Sequence, residues 1–414
     1  MIWRSLYSVL LYLLLPLVLL KLWWRGSREP DYRTRIGERF GRYRLPAPDS
    51  VLWVHAVSLG EARASAPLVR ALRAAFPDTG LLLTCTTATG RSALRQIHGE
   101  SLPIAWLPYD YPGAVRRFLR HFRPRLGLVM ETEIWPNLLW ACRELNVPVV
   151  LASARMSGSS AERYARWRGL SRPALSGLAA ACAQSEADAT RLASLGASRV
   201  SVCGNLKFDV APDRSQIAAG LAWRKALDRP VLLLASTRDS EERLLLDALT
   251  VLPEETLTVV VPRHPQRFEA VAEMLGHAVA RRSRGHLPTA RDRFYLGDSM
   301  GEMAFYYAAA DVAVIGGSFV PLGGQNLIEA CAAGTPALFG PSMHNFADAS
   351  ALALEAGAAL QAPDAAEAMR LANALLADEA RRRTMAAAGL RLCAAHRGAT
   401  EKHLAIVREL LAGR

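Results

Sequence analysis

Three carboxylates and one ammonium sit where short apolar runs give way to polar residues, and these are the first groups able to do chemistry. Glu61 follows the run VLWVHAV (51–57) in the turn SLGE (58–61). A carboxylate opening a helix there is either a partner of the helix dipole or a general base that takes a proton from a sugar hydroxyl. Glu131 and Glu133 leave another apolar run in METEIWPN (130–137). In an extended segment their alternation puts them on one side. Burying two unpartnered carboxylates is costly, so a ligand site explains them better than a packed interior. Lys207, in CGNLKFD (203–209), is either solvated or a point charge for an anionic substrate group.

The second half of the chain carries denser signals. LASTRDSEE (234–242) reads as a strand entering an acidic helix start, and VVVPRHP (259–265) sets Arg263 and His264 in a rigid basic loop. LGDSMGE (296–302) has the same strand-to-helix form. In GGSFVPLGGQNLIEA (316–330) the glycines allow close backbone approach. Gln325 and Asn326 are expected to open a helix whose amides hold a phosphate. Glu329, one turn past Asn326, is expected to face the same ligand and to accept both hydroxyls of a ribose. A Gly-rich connection capped by Asn accounts for the glycines but not for the Asn-x-x-Glu spacing. The chain has no GxxxxGK[ST], no GxGxxG with an acid about 20 residues on, and no Asp-x-Asp. Phosphate charge is then to be met by helix amides and by Lys or Arg, with no metal and no separate cofactor.

Two series of elements must position these groups. The runs at 51–57, 81–87, 103–109, 126–133, 148–154, 178–185 and 200–206 are short, apolar and separated by helical stretches such as APLVRALRAAF (66–76). They read as buried parallel strands. After a polar connector at 207–229 a second series follows at 230–237, 257–265, 277–283, 293–298, 311–319 and 336–341, and the Ala-, Leu- and Arg-rich remainder reads as helical. The fold class is therefore α/β, with two doubly wound, Rossmann-like domains and a ligand site expected in a cleft at the carboxyl ends of their strands. The divisions expected are an anchor at 1–24, an acceptor domain at 25–206, the connector at 207–229, a nucleotide domain at 230–395 and a terminal helix at 396–414.

Length and composition bound the partners. A chain of 414 residues with 51% hydrophobic and 21% charged residues is globular and too long for one ordinary core. A formal charge of +12 points to an anionic partner. The six cysteines form no close pair, so they read as buried and reduced instead of zinc-binding or redox-active. Between Arg4 and Lys21 lies the uncharged run SLYSVLLYLLLPLVLL, interrupted by Pro16 and followed by Trp23, Trp24 and seven arginines up to Arg44. It reads as a retained membrane anchor, spanning or dipping into one leaflet, with the body held in the cytoplasm by the positive-inside bias. The Arg-rich stretch 25–44 is expected at phosphates of a lipid or of the leaflet.

Several strings taken together, in this order, resemble the 3-deoxy-D-manno-octulosonic acid (Kdo) transferases of lipid A assembly. They are YRTRIGERFGRY (32–43), HAVSLGEARASAPLVRAL (55–72), LPYDYP (107–112), METEIWPN, NLKFD (205–209), VVPRHPQRF (260–268), GDSMGE (297–302) and GGSFVPLGGQNLIEA. The resemblance covers nearly the whole chain and implies the two-domain GT-B architecture at the inner membrane. It implies CMP-Kdo as donor, lipid IVA as acceptor, and no nucleic acid partner. By the same resemblance Glu61 is the catalytic base, and Glu131 and Lys207 stabilise the transition state. Pro262 and Arg263, then Met300, Gly301 and Glu302, then Asn326, Leu327, Ile328 and Glu329, bind CMP. This sequence departs from the family pattern at Arg238 and Ser240, in STRDSE, and at Gln325, where a His is customary. The rival readings are a UDP-sugar transferase or epimerase of the same architecture, and a noncatalytic membrane-tethered protein that binds polyanions.

Overall fold

Short runs of β-branched residues, Leu and Ala, bounded by turns, form parallel strands when both faces of the sheet are covered by helices. The computed structural model describes residues 2–46, 50–276, 278–285 and 287–413, and the chain divides into two such units.

The first unit comprises Met1–Val210 and His396–Arg414. Its strands are β1 (Val51–His55), β2 (Gly80–Cys85), β3 (Ile104–Trp106), β4 (Pro124–Met130), β5 (Val149–Ala154), β6 (Ala180–Ala183) and β7 (Val200–Val202). Their order is β3-β2-β1-β4-β5-β6-β7, all parallel. The order reverses between β1 and β4, which sets a crevice at their carboxyl ends. Leu52, Val54 and Leu128 pack one face of the sheet and Trp53, Phe118 and Leu151 the other. The terminal helix Ala399–Ala412 belongs to the first of these layers, through Leu404 and Val407.

The second unit, Ala211–Ala395, repeats the plan. Its strands are β8 (Val231–Thr237), β9 (Leu257–Pro262), β10 (Ala280–Arg281), β11 (Phe294–Leu296), β12 (Val312–Ile315), β13 (Ala337–Phe339) and β14 (Ala359–Gln361), in the order β10-β11-β9-β8-β12-β13-β14. The strand expected at 277–283 shrinks to two residues, and His277 lies outside the described residues. Strand β14 was not anticipated: Ala359–Gln361 is three residues long with no apolar run to announce it. All six cysteines are buried.

The amino-terminal apolar run forms two helices, Ile2–Leu13 and Leu15–Arg28. Pro16 falls in the first turn of the second helix, where its missing N–H costs nothing, so the helix restarts there. Among the described residues no single helix is long and apolar enough to cross a membrane, while this pair, bent by 51°, is so in combination. The first helix touches the body through a few groups. Ser8 Oγ donates to Asn137 Oδ1 at 3.2 Å, the Tyr111 hydroxyl donates to Leu11 O at 3.1 Å, and Arg4 lies over the Trp140 ring at 4.1 Å. Tyr7 and Leu11 are partly buried, whereas Leu6, Val9, Leu10 and Leu13 are exposed.

Candidate active site

In the first unit Glu61, Glu131 and Lys207 come together at the carboxyl ends of β1 and β4. Ser58 caps the helix Leu59–Ala75, and its Oγ accepts the Glu61 N–H at 3.3 Å. Glu61 reaches back: its Oε2 accepts from Val57 N at 2.8 Å and its Oε1 from Ser58 Oγ at 3.0 Å. The residue as a whole is 8% exposed. Burial first, then the charge of Glu131, push its carboxyl up to about 7 against the opposing donors at Val57 and Ser58.

Strand β4 ends at Met130, and Glu131 takes a left-handed conformation with φ +55°. The segment is therefore not extended, and the expected alternation of Glu131 with Glu133 fails. A residue with a Cβ occupies that region only when its surroundings demand it. Here the Glu131 N–H donates to Ala152 O at 2.9 Å and its Oε1 accepts from Lys207 Nζ at 2.9 Å. The pair is half-sheltered, which strengthens it relative to a surface ion pair. Glu133 turns to the Trp135 indole N–H, 2.8 Å from its Oε2, and burial pushes it up. The neighbouring LPYDYP segment supplies Asp110, whose carboxylate accepts from Asn137 N and Leu138 N at 3.0 and 2.7 Å and so fixes the helix that follows Pro136.

In the second unit the expected nucleotide segments follow β9, β11 and β12. Pro262 is the last residue of β9, and Arg263 N donates to Thr237 O at 2.9 Å. The buried Tyr307 hydroxyl is pushed well up by burial; Glu329 raises it further and Arg263 opposes, which places both charges around it. Met300 is half-exposed, and Gly301, at φ +83°, accepts from Gln216 Nε2 at 3.0 Å. Glu302 is gripped by both arms of Arg282 at 2.7 and 3.2 Å, which holds its carboxylate below the ordinary range. The helix expected to open at Gln325 begins instead at Ile328 and is six residues long. Asn326 sits before it: Oδ1 accepts from Ile328 N at 3.2 Å, and Nδ2 donates to Glu329 Oε1 at 3.1 Å. Leu327 and Ile328 are buried.

Sequence reasoning missed the group that shapes the glycine loop. The buried Glu241 carboxylate accepts from Gly317, Ser318 and Phe319 N at 2.5, 3.1 and 3.0 Å, and from Arg238 N at 3.3 Å. A Cβ on Gly316 would lie 2.5 Å from Ser236 O, and Gly317 has φ +68°, so this approach of β12 to β8 requires glycine. Arg238, one of the departures from the family pattern, lies 2.7 Å from His264 Nε2. The buried acidic pair Glu241–Glu242 at a helix start was the available signal. Among the described residues no group of three or more His, Cys, Asp or Glu is disposed to hold a metal ion.

Comparison with known proteins bears on family and fold. The sequence model of the family described as "3-Deoxy-D-manno-octulosonic-acid transferase (kdotransferase)" matches residues 34–210. The chain is 49% identical to the 3-deoxy-D-manno-octulosonic acid transferase of Bordetella pertussis, over 99% of each chain. It is 33% identical to that of Haemophilus influenzae, again over 99% of each. Among solved structures, a glycosyltransferase from Rickettsia africae superposes with a TM-score of 0.60 at 12% identity, covering 89% of this chain and 99% of that one. That likeness is one of fold: two parallel-sheet α/β units of the kind found in GT-B glycosyltransferases. With relatives of this identity along its whole length and a matching family model, the chain belongs to the 3-deoxy-D-manno-octulosonic acid (Kdo) transferase family.

Proposed function

We propose that this glycosyltransferase moves Kdo from CMP-Kdo to lipid IVA at the cytoplasmic face of the inner membrane, with inversion at the anomeric carbon. The observation that carries the proposal is Glu61, a buried carboxyl pushed up to about 7 beside the Glu131–Lys207 pair. As the acceptor oxygen bonds to the anomeric carbon, Glu61 takes the hydroxyl proton. The bond to the CMP phosphate breaks with its electron pair, and CMP departs. A base whose affinity for protons lies near ambient pH is suited to this step and is worth about 10²–10⁴-fold in rate. Lys207 meets negative charge, either on the departing phosphate or on the sugar's own carboxylate, and Glu131 fixes it in place. A monophosphate leaving group needs less neutralisation than a diphosphate, so no metal ion is assigned a role.

In the second unit, Arg263, the Met300–Glu302 turn and the Asn326–Glu329 segment bind CMP. The exposed apolar surfaces of Ile2–Leu13 and Leu15–Arg28, with the arginines after them, support attachment to an anionic leaflet. Nucleotide competition tests the donor: CMP should inhibit Kdo transfer at concentrations where UDP has no effect. Equal inhibition by UDP, or a lipid IVA product of unchanged mass, would remove the proposal.

A further inference from the structure

The terminal helix Ala399–Ala412 belongs to the first unit. The first unit shows it tied to the loop that carries Lys207. His403, on this helix, is fully buried. Its Nδ1 lies 2.6 Å from Ala399 O, a carbonyl that can only accept, so Nδ1 carries the proton. Nε2 is then a lone pair, and it accepts the Ser153 N–H at 2.8 Å. The ring is thereby committed as the neutral tautomer, with both nitrogens used.

Ser153, near the end of β5, has φ +49° at a point where the β5–β6 register shifts. A residue with a Cβ holds that conformation only if its polar groups are over-determined, and here they are. Its carbonyl and Oγ accept from Gln184 Nε2 at 2.8 and 3.3 Å, and Oγ also accepts from Leu206 N at 3.4 Å. Gln184 Oε1 accepts from Asn205 Nδ2 at 2.9 Å, and Asn205 Oδ1 accepts from Lys207 N at 2.9 Å. From the other side, Asp209 accepts from Gly398 N and Thr400 N at 2.7 and 2.5 Å, tying the same loop to the start of the terminal helix.

We propose that His403 is a positioning residue: through Ser153 and Gln184 it sets the 205–209 loop so that Lys207 Nζ meets Glu131. The proposal rests on the roles given to Glu131 and Lys207 above. A group that acts only through Lys207 should matter only while Lys207 is present, whereas a group that merely stabilises the unit should matter regardless.

The test is steady-state kinetics on full-length His403→Leu, His403→Gln, Lys207→Met and the double variant His403→Leu/Lys207→Met. His403→Leu should lower kcat at least tenfold, with KM for CMP-Kdo and affinity for CMP within twofold of wild type. Gln, whose Oε1 reaches about as far as imidazole Nε2, should restore most of the rate. On the Lys207→Met background, His403→Leu should cost less than a further twofold. Should His403→Leu not fold, His403→Asn, which keeps a donor for Ala399 O and cannot reach Ser153, carries the same expectations. A near-wild-type kcat for His403→Leu, equal impairment of Gln and Leu, or an undiminished loss on the Lys207→Met background would each overturn the role of His403. A Lys207→Met enzyme at full rate would overturn the reading of Lys207 itself.

Discussion

Glu61 uses both carboxyl oxygens on its own helix start, at Val57 N and Ser58 Oγ, yet burial and the Glu131 charge hold its proton up to about pH 7. If it is the base, kcat should rise with pH and level off above about 7, because only the carboxylate can accept the hydroxyl proton. Replacing Glu131 by Gln removes a neighbouring negative charge, so the acid limb of that profile should move to lower pH; a fixed limb would detach Glu131 from Glu61. Stability supplies an independent check with a definite sign. The folded carboxyl binds its proton more tightly than the unfolded one, whose ordinary value is 4.5, so stability falls as pH rises from about 4.5 to about 7. At about 1.4 kcal/mol per unit the loss is at most on the order of 3 kcal/mol. Glu61→Gln should therefore melt above wild type at pH 8, with the gain shrinking at pH 5. The position of Glu61 was legible from SLGE, but its titration was not, because that depends on Glu131, 70 residues away in the chain. The pairing of Glu131 with Lys207 was legible only through the family resemblance. The left-handed turn at Glu131 was hidden, since nothing in METEIWPN marks it as glycine-like.

At the scale of elements, the pattern of short apolar runs specified both sheets because buried parallel strands leave a strong compositional trace. It failed where burial is not written locally: β14 has three residues, and the six-residue helix at Ile328 starts later than Gln325-Asn326 suggested. Asn-x-x-Glu instead closes on itself, Asn326 Nδ2 to Glu329 Oε1, so a ribose would have to share or displace that bond. The glycine loop after β12 is held by Glu241 through three consecutive amides. Glu241→Gln replaces an acceptor by a donor facing those N–H groups, which should cost about 1–3 kcal/mol and loosen the loop. A fall in melting temperature together with weaker CMP binding by calorimetry is the expected result. Unchanged CMP affinity in a destabilised variant would separate this loop from nucleotide binding.

At the scale of the whole molecule, the proposed chemistry is divided: Glu61, Glu131 and Lys207, assigned to proton acceptance and charge stabilisation, belong to the first unit, and the segments assigned to CMP to the second. The amino-terminal helices add an apolar surface, with Leu13, Leu17 and Leu20 exposed at 72%, 60% and 62%. Replacing these three leucines by Asp should abolish co-sedimentation with anionic phospholipid vesicles while CMP binding persists; retained vesicle binding would contradict membrane attachment through these helices. The fold and the family were legible in the sequence, whereas the dependence of the Lys207 loop on a helix nearly 200 residues further along was not. The role of Glu61 as base is tested by the transfer rate of Glu61→Gln under single-turnover conditions, with CMP-Kdo bound and lipid IVA in excess. CMP affinity should stay within twofold of wild type while the rate falls by about 10²-fold or more. A rate near that of the wild-type enzyme would show that the acceptor proton leaves by another route.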